Sequence, residues 1–276
     1  MGKMKDWERP AVVAGSFYPS EPEELRQLIA GYLDKAGVAT GSVVGKAAIR
    51  GFIAPHAGYA FSGALAGRVF SAAAKMKPQR IVMIGPAHYV DIQGLALSSA
   101  TAFLSPIGKS FIDTDAVESL NKKYAFLNVL DEAHAKEHSL EVMLPFIQYV
   151  WPDARILPIV TGKIETEKIC QLLDRELQDT DLLLISSDLS HFHSAIDAQK
   201  TDLELLDEIV QLDFDSAQKA EACGLAGILA VMKLAKIRNW KSNLIGYAHS
   251  GQSHNDQERV VGYGAVTFAD EGESHE

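Results

Sequence analysis

The chain has 276 residues, of which 47% are hydrophobic and 22% charged, so it can bury the core of a sizeable globular protein. Its formal net charge of −10, with no local cluster of lysine and arginine, argues against nucleic acid as a partner. The two cysteines, Cys170 and Cys223, have no CxxC spacing, which argues against a disulfide framework or a structural zinc knuckle.

The N-terminal stretch "MGKMKDWERPAVV" lacks the apolar segment of a signal peptide. The most apolar helical stretch, "GLAGILAVMKLA", is too short to cross a bilayer and contains Lys233. Scarce cysteine without a pairing pattern is typical of a reducing compartment. We therefore expect a soluble cytoplasmic protein with no membrane partner.

The first half of the chain alternates between helical and strand patterns. A capping box from Ser20 to Glu23 opens an amphipathic helix. A strand, a helix and a second strand are then predicted in the stretches "KAAIRGFIAP", "SGALAGRVFSAAAKM" and "RIVMIGPAH". The two strands lie about 30 residues apart, which is the length of a βαβ unit.

The alternation continues to the C-terminus. Strands are predicted in "GLALSS", "ARILPIV" and "DLLLISSD", and a helix in "IETEKICQLLDREL". Further helices are predicted near Asp115 to Lys122 and from His138 toward Trp151, the second kinked or interrupted at Pro145. Two or three helices are expected within residues 195 to 237. The last two strands, "SNLIGYAHS" and "VVGYGAVTF", are expected to form a hairpin at or near one edge of the sheet.

This pattern predicts an α/β fold in which a mainly parallel central sheet is flanked by helices. No repeat, low-complexity tract or linker interrupts the pattern, so a single domain is expected over residues 1–276. The acidic end, "ADEGESHE", is expected to be a disordered tail over residues 269–276.

Polar side chains follow three of the long apolar strands. "RGFIAP" leads to His56, "RIVMIGPA" leads to His88, and "DLLLISS" leads to Asp188 with His191 just beyond. Ligands bind at the carboxyl ends of the strands in open α/β sheets. A single histidine after a strand is more often a capping or loop residue, but two at equivalent strand ends favour a metal site. Imidazoles with one carboxylate are typical of Fe(II) or Zn(II) sites.

Cys223, in "AEACGLAGILAVM", lies just before a predicted helix. A thiolate is favoured at a helix N-terminus, which makes the sulfur a better ligand or nucleophile. The alternative is an inert buried thiol, because free cysteine is among the most buried residue types. Cys170 lies on the apolar side of its helix and is expected in the core.

The stretch "DEAHAKEHSLEVMLP" contributes Glu137, His138 and Glu141. His138 and Glu141 are spaced i, i+3 on the predicted helix, as in carboxylate-bridged metal sites. A solvated first helical turn explains the same residues equally well. We expect these side chains to support the metal ligands rather than bind the metal. His193 lies two residues past His191 and would face the other way in an extended chain, so it is not included.

The sequence carries six motifs in this order: "AGSFYPS", "APHAGYAFSG", "GPAH", "EHSLEVMLPFI", "SSDLSHF" and "ACGLAGI". Together, from about Arg9 to Phe268, they resemble the Memo family, and in particular component B of the bacterial and archaeal AmmeMemoRadiSam system. The resemblance implies a fold similar to that of the class III extradiol (LigB-type) dioxygenases, which use non-haem Fe(II).

The resemblance also implies roles for individual residues. The implied metal ligands are His56, His88 and Cys223. The implied catalytic residues of the same pocket are Asp188 and His191. The residues expected to line the pocket or support the ligands are Tyr59, Glu137, His138 and Glu141. Ring-cleaving relatives carry a glutamate where this chain has Cys223, and the softer thiolate shifts the metal preference toward copper.

Three functions are compatible with this set of residues. The first is a redox protein that uses Fe(II) or copper, and in which His191, oriented by Asp188, acts as general acid or base on a small molecule. Zinc is a further possible occupant of the metal site. The second is a non-catalytic module that binds a peptide or phosphopeptide in the same pocket. The third is a protein that handles copper or iron as cargo. Other proteins of the AmmeMemoRadiSam system are implied as partners.

Overall fold

A large β-sheet forms the centre of the computed structural model, which describes residues 7–39, 48–254 and 256–270. The strands are β1 (Glu8–Arg9), β2 (Ala48–Ala54), β3 (Arg80–Pro86), β4 (Leu95–Leu97), β5 (Ala102–Ser105), β6 (Gly108–Phe111), β7 (Leu127–Val129), β8 (Arg155–Thr161), β9 (Asp181–Ser186), β10 (His191–His193), β11 (Lys241–His249) and β12 (Val260–Asp270). The helices are α1 (Pro22–Ala39), α2 (Ala64–Ala73), α3 (Thr114–Lys123), α4 (Asp131–Ala135), α5 (Leu144–Val150), α6 (Thr166–Glu176), α7 (Ala195–Gln211), α8 (Phe214–Ala217) and α9 (Leu225–Ile237).

The large sheet runs in the order β10, β12, β2, β9, β3, β8, β4 and β7, and β11 also pairs with β12. Its middle strands, β2, β9, β3 and β8, are parallel to one another. Toward the two ends, β4 is antiparallel to β8, and β12 is antiparallel to β2, β10 and β11. The predicted α/β fold is confirmed, with the C-terminal hairpin of β11 and β12. The sheet is mixed, and its parallel part lies in the middle.

The middle strands are buried on both faces, as their continuous apolar runs predict. Every residue of β9 is buried, and so is every residue of β3 after Arg80. Burial of each large aliphatic side chain contributes about 1.5–3 kcal/mol to stability. The helices that follow the strands cover the faces of the sheet, and α6 packs against α9.

Close packing of α9 on the sheet fixes the position of Cys223. A Cβ atom at Gly227 would lie 3.1 Å from a side-chain carbon of Ile185 and 3.3 Å from one of Ile84, so only glycine allows this approach without adjustment. A Cβ atom at Gly224 would lie 2.6 Å from the carbonyl oxygen of Ser186. The start of α9 therefore lies against the carboxyl end of β9.

The prediction of a helix from His138 toward Trp151 is wrong in its first half. His138 lies in a loop, a short turn of 3₁₀-helix covers Glu141–Met143, and α5 begins only at Leu144. Pro145 is in the first turn of α5, where a missing N–H is harmless and the fixed φ suits the helix. The proline therefore helps to start the helix instead of kinking it.

The predicted disordered tail begins too early. Ala269 and Asp270 are the last residues of β12, and Ala269 is buried and paired with Lys241 and Ile49. Residues 271–276 of the predicted tail lie outside the described residues.

Buried His134 of α4 provides a pH test of the fold. Its Nε2 lies 3.1 Å from the carbonyl oxygen of Ala96, and burial lowers its pKa to about 4 although that hydrogen bond acts in the opposite direction. In the unfolded chain His134 has a pKa near 6.5, so as the pH falls the unfolded state takes up a proton before the folded state does. The free energy of unfolding is therefore unaffected by His134 above about pH 6.5 and decreases as the pH falls toward 4. Between pH 7 and pH 5 the loss is about 2 kcal/mol.

We expect His134→Gln, which can still donate to Ala96 but does not titrate, to lose about 2 kcal/mol less stability than the wild type between pH 7 and pH 5. Urea unfolding followed by circular dichroism at both pH values measures this difference. Equal pH dependence of the two proteins would show that His134 does not titrate as described.

Candidate metal centre

Three neighbouring strands deliver polar residues to one edge of the sheet. His56, Asp188 and His88 each lie two positions after the last residue of β2, β9 and β3, respectively. The strand ends are level, because Ala54 pairs with Ser186 and Ile84 pairs with Ile185. The spacing and the register together bring the three side chains to the same side of the molecule.

A group of three histidines forms at this edge: His56, His88 and His138. One ring nitrogen from each lies within 4.8 Å of those from the other two. The ring centroids are 5.3 Å apart for His56 and His88, 5.5 Å for His56 and His138, and 4.5 Å for His88 and His138. His56 is buried and His88 is at the exposed side. The group can hold a metal ion that is accessible from solvent.

Hydrogen bonds fix the tautomer of His56. Its Nδ1 is 2.7 Å from the hydroxyl oxygen of Ser186, and that hydroxyl donates its own proton to the carbonyl oxygen of Ser139 at 2.6 Å. Nδ1 of His56 must therefore carry the proton, which leaves Nε2 unprotonated and facing the sulfur of Cys223. Burial and the neighbouring histidines hold the pKa of His56 well below its usual value. The ring is therefore neutral and could offer Nε2 to a metal ion.

The carboxylate of Glu137 binds both the backbone and the ring of His88. One carboxylate oxygen accepts from the backbone N–H of His88 at 2.6 Å, and the other accepts from Nδ1 of the ring at 2.8 Å and from the N–H of Ser139 at 2.9 Å. Burial alone would raise the pKa of Glu137, but these hydrogen bonds outweigh it and lower the pKa to about 2. A carboxylate behind a histidine is the usual support of a metal ligand. Nε2 of His88 is left free.

His138 has a buried nitrogen that nothing satisfies. Its Nδ1 lies 3.5 Å from a carboxylate oxygen of Glu137 and makes no hydrogen bond with any described residue. The ring stacks on His88 and contacts the ring of Phe17 at a centroid distance of 4.9 Å. Burial lowers its pKa. An unpaired buried nitrogen costs free energy, so the ring of His138 has unused hydrogen-bonding capacity beside the other two histidines.

Cys223 lies beside the histidine group without being a member of it. Its sulfur is 3.4 Å from Nε2 of His56 and accepts from the backbone N–H of Asp188 at 3.2 Å. Two ligands of one tetrahedral zinc ion, a thiolate and an imidazole, are about 3.5 Å apart. Burial and the nearby Asp188 raise the pKa of the thiol to about 12, which is the opposite direction from that expected at a helix start.

Asp188 and His191 line one pocket, but they do not form the expected pair. One carboxylate oxygen of Asp188 accepts from the backbone N–H of His56 at 2.8 Å, and burial raises its pKa to about 7 against the effect of that bond. The ring of His191 donates from Nδ1 to the carbonyl oxygen of Leu189 at 2.8 Å. The expected orientation of His191 by Asp188 is therefore replaced by orientation through Leu189.

A pocket of about 440 Å³ opens beside the histidine group. Its walls are largely apolar and aromatic, and its polar groups include His138, Asp188 and His191. The other lining residues are Ser16, Phe17, Ala57, Gly58, Phe61, Ser250, His254, Asp256, Arg259, Val261 and Tyr263. A cavity of this size accommodates a small organic molecule.

Tyr59 and Glu141 have structural partners. The buried hydroxyl of Tyr59 donates to the carbonyl oxygen of Val142 at 2.9 Å. The buried carboxylate of Glu141 accepts from Arg9, from Tyr18 and from backbone N–H groups near the N-terminus. Cys170 is buried in the core as predicted, and the exposed ring of His193 contacts Glu221.

His138 is a member of the histidine group, whereas the sequence analysis expected it only to support the metal ligands. The i, i+3 spacing to Glu141 assigned both residues to one helix face, whereas His138 lies in a loop and Glu141 faces the N-terminal segment. The motif "EHSLEVMLPFI" was the signal in the sequence, because it places a histidine directly after the glutamate that supports His88.

The fold and the histidine group define an α/β protein with a candidate metal centre at the carboxyl edge of parallel strands. The family model for Memo-like proteins matches residues 9–267. MEMO1 family proteins of Desulfurococcus amylolyticus and Ignicoccus hospitalis are 32% and 34% identical to the chain, over 95% and 94% of its length and 99% and 98% of theirs. The chain belongs to the Memo family, which confirms the resemblance of its motifs. In the described part of the chain, no helix could span a bilayer.

The geometry places His138 in the group of three histidines that could hold a metal ion, and we expect His138→Ala to weaken the binding of Co(II) by at least about tenfold. Competition titration with a chromogenic chelator measures the dissociation constant. His193→Ala is the matched control. His193 is an exposed histidine that contacts Glu221 and is not a member of the histidine group, so its loss should leave the affinity unchanged. The same affinity in His138→Ala and in wild type would remove His138 from the centre.

Proposed function

We propose that this protein is a metal-dependent oxidoreductase that acts on a small molecule bound beside the metal centre. The observation that carries the proposal is that His138 belongs both to the histidine group and to the wall of the pocket. A molecule in the pocket would therefore lie next to a metal held by the histidines. Asp188 and His191 line the same pocket, so a metal site, a proton acceptor and a substrate cavity come together.

The donors fit a divalent transition metal. His56 and His88 each offer a free Nε2, and His138 has an unpaired buried nitrogen. We propose His56, His88 and Cys223 as ligands, with His138 joining them. Imidazole nitrogens suit iron, copper and zinc, and Fe(II) is our first candidate. When bound, a redox-active ion would supply the electron transfer that side chains cannot perform.

The chain's own residues would bind the substrate and move its proton. His191 carries its ring proton on Nδ1, where Leu189 accepts it, so Nε2 is free to take a proton from a bound molecule. Aromatic walls such as Phe17 and Phe61 would hold the apolar part of the substrate and exclude water from it. Asp188 would hold the backbone of His56 in place.

A second candidate function, the handling of copper as cargo, is supported by Cys223. A thiolate next to an imidazole is a donor pair that suits copper, since soft ligands favour Cu(I). In this case the pocket would admit a metal donor or acceptor, or a peptide, without turnover. Metal binding is common to both functions, and turnover separates them.

We expect Co(II)-loaded wild type to have an intense near-ultraviolet charge-transfer band from the thiolate, and Cys223→Ser to lose that band while retaining weaker metal binding. Absorption titration under anaerobic conditions measures both quantities. Cys170→Ser is the matched control, because Cys170 is buried in the core and should not affect the band. An unchanged spectrum in Cys223→Ser would mean that the sulfur is not a ligand.

The redox proposal is tested by O₂ uptake. Protein purified anaerobically and loaded with Fe(II) is mixed with the low-molecular-weight fraction of an extract of its native host, and an O₂ electrode records consumption. We expect uptake by wild type and a decrease of roughly 10²-fold or more in His191→Ala, with metal content unchanged. His193→Ala should behave as wild type. Metal binding without any O₂ uptake would instead favour metal handling or peptide binding.

A further inference from the structure

Arg9 of β1 is a buried arginine whose guanidinium group contacts the segment that carries His138. Only 1% of the residue is exposed. Its Nε donates to the carbonyl oxygen of His134 at 2.6 Å, its Nη2 donates to that of Glu137 at 2.6 Å, and its Nη1 donates to a carboxylate oxygen of Glu141 at 2.7 Å. Three donors of one rigid, planar group thus bind three points within eight residues of chain.

The bond to Glu137 acts directly on the metal centre. The carbonyl of Glu137 belongs to the peptide group that links it to His138, so Arg9 fixes the orientation of the peptide plane from which His138 begins. Regular secondary structure does not fix this plane, since α4 ends at Ala135 and the next helical turn begins at Glu141. Glu137 is also the carboxylate that holds His88.

Glu141 connects this arrangement to the N-terminal segment. Its carboxylate accepts from the N–H groups of Val12 and Val13 at 2.8 and 2.9 Å and from the hydroxyl of Tyr18 at 2.7 Å. The segment then passes the centre, where the ring of Phe17 packs against His138. The N-terminal segment therefore holds His138 through Arg9 on the backbone side and through Phe17 on the ring side.

We infer that Arg9 is a positioning residue of the metal centre, which orients His138 and Glu137 for metal binding through the carbonyls of His134 and Glu137. The inference rests on the proposed metal-binding function. It differs from a purely structural role for the buried ion pair, because it predicts a specific link between Arg9 and His138 in metal affinity.

The test compares Arg9→Lys with Arg80→Lys. Lysine keeps the charge but cannot reach three acceptors at once. Arg80 is the matched control: like Arg9 it donates to carboxylate and backbone carbonyl oxygens, here those of Asp113, Asp181 and Glu176, but it lies at the start of β3, away from the histidines. We expect the dissociation constant for Co(II), measured by chelator competition, to rise roughly 10–100-fold in Arg9→Lys and to be unchanged in Arg80→Lys.

A double-mutant cycle separates positioning from general destabilisation. If Arg9 acts through His138, Arg9→Lys will have a clearly smaller effect on Co(II) affinity in the His138→Ala background than in the wild-type background, where only the route through Glu137 and His88 remains. Equal effects in both backgrounds, or no effect of Arg9→Lys in the wild-type background, would overturn the inference. If Arg9→Lys does not fold, Arg9→Gln with Glu141→Gln removes both buried charges together and is measured in the same cycle. Failure of the wild type to bind Co(II) would overturn the proposed function itself.

Discussion

The hydrogen-bond register of β2, β9 and β3 places the carboxyl ends of three buried strands side by side, and the candidate centre depends on this arrangement. His56, Asp188 and His88 follow the strands at the same distance, so the sheet sets their separation before any contact among the side chains. The close approach of α9, which Gly227 permits, adds Cys223 to the same edge. Each of these residues lies within two positions of a buried strand end or at the start of a buried helix.

The buried strands and the polar residues at their ends could be predicted from the sequence, because each depends on a short continuous stretch of the chain. A continuous apolar run identifies a strand buried on both faces, and the rule for α/β sheets then assigns a function to the residues that follow it. This reasoning found His56, His88 and Asp188 without any knowledge of the fold. The resemblance to the Memo family added Cys223 as a ligand, which position alone had left open.

Other features of the candidate site could not be predicted, because they depend on contacts that sequence patterns do not record. The place of His138 in the group is determined by Arg9 and Glu137, and no periodic pattern records a contact across more than a hundred residues. The orientation of His191 follows from a hydrogen bond to the carbonyl oxygen of Leu189, which no pattern in the sequence specifies. Short strands such as β5, β6, β7 and β10 were not predicted, because three or four residues rarely establish an alternating pattern; β4 was predicted although it is as short, since all three of its residues are apolar.

The contact between His56 and Cys223 joins residues 167 positions apart. It requires β2 and β9 to be paired and α9 to be packed beside β9, so the complete centre exists only in the folded chain, and an unfolded chain has no comparable binding site. An ion bound there would act as a non-covalent cross-link between the early and late parts of the sequence. Because it binds the native state and not the unfolded chain, it would raise the free energy of unfolding with the logarithm of its concentration, and the loaded protein would resist proteolysis better than the empty one.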